Sequence, residues 1–158
     1  MANGTKFVAE ATLSAIELLG RRVPYCVWRE ITEREQEQEA LRQSIRNYQI
    51  IFDNTRDAIC LLSSDQKILQ ANTSMAALTG ISVRHMKDKH CWEVVHGTTS
   101  PIPECPLRRA RTSLRREQME LKIGNRWLII TVDPVPGEAQ EFQGAVHIIR
   151  DVTDQWAT

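Results

Sequence analysis

The chain has 158 residues, 42% of them hydrophobic, with 7 Gly and 6 Pro, and its 20 Lys+Arg balance 20 Asp+Glu. That length makes about one ordinary domain with a real core, the apolar fraction excludes a disordered or collagen-like chain, and no stretch approaches the roughly 18 apolar residues of a membrane span. Zero net charge argues against a general nucleic-acid binder, and four scattered Cys do not make a disulfide framework.

Taken in chain order, Met1-Ala2-Asn3-Gly4-Thr5-Lys6 has no apolar signal core behind it, so the expectation is a cytoplasmic protein without membrane insertion. Phe7–Leu19 and Val23–Ile31 read as two strands joined at Gly20, with Pro24 at an edge or strand start. A lone hairpin is marginal in water. Residues 1–32 are therefore read as the last two strands of a preceding domain, the alternative being an extension packed on the domain that follows. Residues 33–52 hold no Gly or Pro and read as a helix, and Thr32 before Glu35 has capping-box spacing. Leu41, Ile45, Tyr48 and Phe52 recur at coiled-coil spacing, which predicts a homodimer seam; an amphipathic helix lying on its own domain is the other reading.

Residues 53–155 then form one domain. Ala58–Ser63 and Lys67–Ala71 read as strands around a Ser64-Asp65-Gln66 turn. Asn72 caps a helix over Thr73–Thr79 that Gly80 ends. Short helical turns follow from Ser82 and over Cys91–Val95, and a helix spans Glu104–Leu114 with Pro106 in its first turn. Alternation of Met119, Leu121 and Ile123 with polar residues marks a strand, Gly124-Asn125 a turn, and Trp127–Val132 the next strand. Pro134-Val135-Pro136-Gly137 reads as a loop and Phe142–Val152 as the last strand. Helices gathered between runs of strands indicate an α+β fold with a five-stranded antiparallel sheet and short helices on one face.

Residues 25–34, YCVWREITER, repeat in outline at 146–155, VHIIRDVTDQ: an apolar strand runs into Arg-acid-(Ile/Val)-Thr-acid. This ending, with Asp65…Ile68…Ala71-Asn72…Leu78-Thr79-Gly80 and Trp92-Glu93-Val94-Val95-His96, resembles the PAS sensor domain, and residues 7–34 resemble the tail of a second one. The resemblance implies a sensory module of a bacterial or archaeal signalling protein, such as a two-component sensor histidine kinase or a cyclic-dinucleotide enzyme. Its partners would be a second copy, through the linker helix and the PAS domain, and the downstream signalling domains. It also implies that Arg150, Asp151 and Thr153, and Arg29 and Glu30 in the first copy, couple each sheet to the helix that leaves it. A ligand-free interaction and dimerisation module is the alternative.

Catalysis is unsupported. The chain has no Gly-rich phosphate loop and no Gly-x-Ser-x-Gly, and nothing beyond Asp154 could supply a kinase's phospho-acceptor or ATP-binding parts. An apolar pocket is expected from Ile59, Leu61, Leu78, Val95, Leu107, Leu128, Ile130 and Ile148, unless these only fill the core. Cys91-Trp92…His96-Gly97 and Cys105-Pro106 resemble a PAS subset whose Cys-x-x-Cys-Pro has lost its first Cys here, to Ile102. Cys91, His96 and Cys105 are candidates for a metal or redox site, with Cys60 or His90 as outside ligands; a Cys91–Cys105 disulfide and plain buried thiols are the other readings. The cofactor is left unknown. The flavin photosensor motif Asn-Cys-Arg-Phe-Leu is absent, and the helix that carries the axial His in haem-binding PAS domains has none here. Arg108, Arg109, Arg111, Arg115 and Arg116 read as a solvated face, not a nucleic-acid surface, because no aromatics are interleaved.

Overall fold

The computed structural model describes residues 7–156, so the Met1–Lys6 segment lies outside the described residues. The chain divides into two compact units, Met1–Tyr48 and Gln49–Thr158.

In the first unit, β1 (Val8–Leu18) pairs antiparallel with β2 (Arg21–Ile31), from Val8↔Ile31 to Leu18↔Arg21. The two-residue turn Leu19-Gly20 takes φ of +50° and +72°. A tight hairpin of this twist demands positive φ at both positions, and glycine adopts it without strain. Every residue of β1, and all of β2 except Ile31, is exposed, so neither face of this ribbon is covered. Helix α1 (Glu33–Asn54) starts at a reciprocal capping box: Thr32 N donates to Glu35 Oε2 at 3.1 Å and Glu35 N donates to Thr32 Oγ1 at 3.4 Å. Leu41, Ile45 and Tyr48 on α1 are exposed.

The second unit continues with β3 (Ala58–Ser63), β4 (Ile68–Ala71), α2 (Thr73–Thr79), α3 (Val83–Met86), α4 (Cys91–Val95) and α5 (Pro106–Ser113). It ends with β5 (Glu117–Ile123), β6 (Arg126–Pro136), β7 (Phe142–Asp151) and a short α6 (Thr153–Trp156). The five strands form one antiparallel sheet in the order β4-β3-β7-β6-β5. One face carries the core. Cys60, Leu62, Ile130, Val132 and Ile149 point from it toward Met75, Met86, Val94, Leu107 and Ala110 of the helices. This is the α+β architecture predicted from the order of elements.

Two details differ from the expectation. The Pro134–Pro136 segment is strand, not loop: Pro134 pairs with Ala145 and Val135 with Gly144. The partner on the other side, β5, reaches only as far as Val132, so β6 is an edge strand beyond it and a proline there removes no ladder bond. Helix α5 begins at Pro106 because Cys105, at φ −56° and ψ 121°, is its N-cap. Gly144 is required where β7 crosses β3, since a Cβ there would lie 2.3 Å from the Leu62 carbonyl oxygen.

Candidate functional site

Strand side chains alternate between faces, and here the alternation divides the expected pocket. Ala58, Cys60 and Leu62 face the helices, so Ile59 and Leu61 face the opposite side of the sheet. Ile148, paired with Ile59, lies there too. Contrary to the expectation from sequence, these three are half-buried residues of the outer face, on the opposite side of the sheet from the other five. Leu107 and Ile130 are 1% exposed and fill the core. Leu78, Val95 and Leu128 do come together. With Thr79, Val94, Ile123 and Arg126 they line a cleft of 170 Å³ between α2, α4 and the β5–β6 turn. Leu78 and Arg126 also line a neighbouring cleft of 250 Å³ with Arg56, Ser74, Ile149 and Asp151.

Cys91 opens α4 and is buried, His96 is the C-cap of the same helix, and Cys105 caps α5. All four cysteines are free thiols. Burial pushes the Cys91 thiol up to about 12, with the neighbouring Cys105 adding to the effect. Cys60, buried in β3, is pushed up further by burial and then by Cys91. Neutral thiols are poor nucleophiles and poor metal ligands. Among the described residues no group of three or more His, Cys, Asp or Glu side chains is arranged to hold a metal. His96 acts electrostatically on His147 of β7. His90 is the N-cap of α4, where His90 N donates to Glu93 Oε2 at 2.8 Å, and its ring stacks on Trp92.

The exit from the sheet is a connected network. Asp151 Oδ1 accepts from both the backbone N–H and the hydroxyl of Thr153. Thr153 Oγ1 accepts from Trp127 N at 2.9 Å, and Val152 N donates to Trp127 O at 2.8 Å. The two bonds from Thr153 hold the Asp151 carboxyl below its ordinary range, the hydroxyl contributing most. The Trp127 ring lies 5.1 Å from that of Trp156 on α6. Arg126 stands 3.9 Å from Asp151 Oδ2. Arg150 reaches across to Asp57, with three N···O distances between 2.8 and 3.2 Å, which ties β7 to the segment entering β3. At the earlier junction Arg29 pairs with Glu10 at 3.3 Å and Glu35 at 4.0 Å, while Glu30 stands opposite Ala9 on the hairpin. Of the basic run, Arg109 is held by Glu117 at 3.1 Å, Arg116 by Asp133 at 2.6 Å, and Arg111 lies over the Phe142 ring.

Two interior polar groups were not singled out from sequence as site residues. Asn72, fully buried, makes four hydrogen bonds at 2.9–3.0 Å: Oδ1 accepts from Ile59 N and Met75 N, and Nδ2 donates to the carbonyls of Phe52 and Asp57. His147 faces the core beside Cys60, and its Nδ1 has no partner. Its pKa is held down at about 4, chiefly by burial, with His96 adding. No helix among the described residues is long and apolar enough to cross a membrane.

No curated protein matches the chain. Solved structures do match in fold. The PAS domain of a protein from Colwellia psychrerythraea is 20% identical, with a TM-score of 0.53, over 70% of this chain and 98% of that one. A sensory box sensor histidine kinase from Vibrio cholerae is 12% identical, with a TM-score of 0.53, over 74% of this chain and 98% of that one. The PAS domain of BvgS from Bordetella pertussis is 14% identical, with a TM-score of 0.53, over 75% and 92%. The family model described as "PAS fold" matches residues 52–156. With that match over the domain that carries the cleft and the exit network, the chain belongs to the PAS fold family.

Proposed function

We propose that this chain is a sensory module of a signal-transduction protein of the sensor histidine kinase type. In this reading a small molecule enters between the sheet and the helices, and β7 passes the change to the helix that follows it. The observation that carries the reading is the exit network. Asp151, Thr153 and Trp127 join the end of β7, the start of β6 and the first turn of α6 in one run of hydrogen bonds. Arg126 connects this run to the walls of the cleft. A displacement at the cleft then has a short path to α6, and the output needs two states a few kcal/mol apart. The high thiol pKa of Cys91 favours ligand sensing over redox sensing.

The module has no catalytic role in this reading; the chemistry belongs to downstream domains of the parent protein. Residues 1–32 are the end of a preceding PAS domain, which accounts for a ribbon exposed on both faces. Residues 33–52 are the linker helix and 53–155 the sensory domain. Two copies pair through Leu41, Ile45 and Tyr48 of α1, in the cytoplasm, where free cysteines stay reduced.

A second reading is a ligand-free dimerisation module. The tight core favours it, with Cys60, Met75, Met86 and Val132 at 0% exposure. Native mass spectrometry of the intact chain separates the two. A dimer carrying an added small-molecule mass supports the sensory reading. A bare dimer, unchanged after exposure to cell extract metabolites, supports the second.

A further inference from the structure

The two clefts of the PAS domain meet at Leu78 and Arg126, which line both. The smaller one is walled by Leu78, Val94, Val95, Ile123 and Leu128. Its 170 Å³ is about the space that one benzene-sized group fills. Thr79 adds no free polar group, since its hydroxyl donates to Met75 O at 2.9 Å and accepts from Ile81 N. The polarity at the mouth is cationic. The Arg126 side chain makes no hydrogen bond among the described residues, and its one ion pair, with Asp151, is loose at 3.9 Å. Arg56, lining the larger cleft, has no ion pair among them. Three arginines elsewhere in the domain, Arg109, Arg116 and Arg150, reach carboxylates at 2.6–3.1 Å. Two guanidinium groups with open donors therefore stand beside an apolar slot that has no carboxylate among its described lining residues, and Asp151 is the one carboxylate among those lining the larger cleft.

From this arrangement we propose that the cleft binds a small monocarboxylic acid bearing a ring or short branched chain, with Arg126 holding the carboxylate. A planar guanidinium with its N–H fork free suits a carboxylate's two oxygens. The apolar group enters between Leu78, Val95 and Leu128, and the carboxylate sits toward Arg56. The ligand competes with Asp151 for Arg126. Asp151 caps the turn into α6, so binding loosens one of its contacts while Thr153 keeps the others. This last step rests on the coupling proposed above; the binding itself does not.

Benzoate is the probe, followed by amide NMR on the intact chain. Benzyl alcohol supplies the ring without the charge, and acetate and inorganic phosphate supply the charge without the ring. Benzoate saturates the site by about 10 mM, with shifts centred on Leu78, Val95, Arg126 and Leu128. The three comparison compounds bind at least about tenfold more weakly. Arg126→Gln lowers benzoate affinity by about tenfold or more with an unchanged melting temperature, and Arg126→Lys restores part of it. Benzyl alcohol binding as tightly as benzoate, phosphate displacing benzoate, an indifferent Arg126→Gln, or shifts elsewhere on the domain would each overturn the assignment. Fluorescence of the Trp127–Trp156 pair separates the two claims. Saturable benzoate binding with no change at that pair keeps the site and removes the coupling. A failure to bind removes the site and leaves the coupling to be judged on Asp151.

Discussion

Asn72 does three jobs with one side chain. It caps α2, holds the Ile59 N–H of β3 and ties down two carbonyls that precede β3. Truncation to Ala leaves two N–H groups and two carbonyls without these partners in the core. Asn72→Ala is expected to cost about 3 kcal/mol or more, and to lower the melting temperature by at least about 10 °C in a thermal melt. His147 sets a pH dependence. Its folded pKa of about 4 lies below the ordinary 6.5, so above pH 6.5 the imidazole is neutral in both states and its contribution is complete. Between those values the unfolded chain takes up a proton that the folded one refuses. Stability then falls by about 1.4 kcal/mol per pH unit and stops falling below the folded pKa. Its titratable neighbours are Cys60, opposite it on β3, and His96, the C-cap of α4. Urea unfolding at pH 7 and pH 5 checks this: His147→Leu removes about 2 kcal/mol of the wild-type loss.

At the scale of elements, α1 carries the most legible prediction and a visible limit to it. The capping box at Thr32 and Glu35 follows directly from spacing. Phe52 does not belong to the proposed seam, because it is buried in its own domain and its carbonyl accepts from Asn72. Leu41, Ile45 and Tyr48 are the exposed positions of the proposed contact between copies. Ile45→Asp is expected to lower the dimer mass to that of a monomer in sedimentation equilibrium. The melting temperature of the domain should stay within about 2 °C, since Ile45 is exposed in the single chain. A dimer that survives the substitution places the contact elsewhere, for example on the half-buried outer-face residues Ile59, Leu61 and Ile148. The two strand-to-helix junctions look alike in sequence and are built differently. Thr32 caps through Glu35 three residues later, whereas Thr153 is bound from behind by Asp151.

For the whole molecule, the order of elements was readable because apolar runs are bounded by turn residues: Ser64-Asp65-Gln66, Gly80 and Gly124-Asn125 all fall in turns or caps. The faces were less readable. Met119 and Leu121 alternate with the polar residues Gln118, Glu120 and Lys122, so their side of β5 is plain from the sequence. Ala58–Leu62 and Val146–Ile149 are apolar at nearly every position and carry no such signal, so Ile59, Leu61 and Ile148 read from sequence as lining a pocket that they do not face. The sites that matter most at the exit depend on long-range pairing. Arg126 meets Asp151 only because β6 and β7 pair with Leu128 opposite Asp151, and Arg150 finds Asp57 across the chain. No local pattern marks either contact.

The central claim is that the exit network carries the signal. The most direct test is Asp151→Ala in the parent signalling protein, with output measured against signal and the melting temperature measured alongside. The account predicts that output no longer follows the signal while the fold holds, because Asp151 is surface-placed and its loss removes a cap and not core packing. Output that tracks the signal as in the wild type, on an equally stable protein, would contradict it.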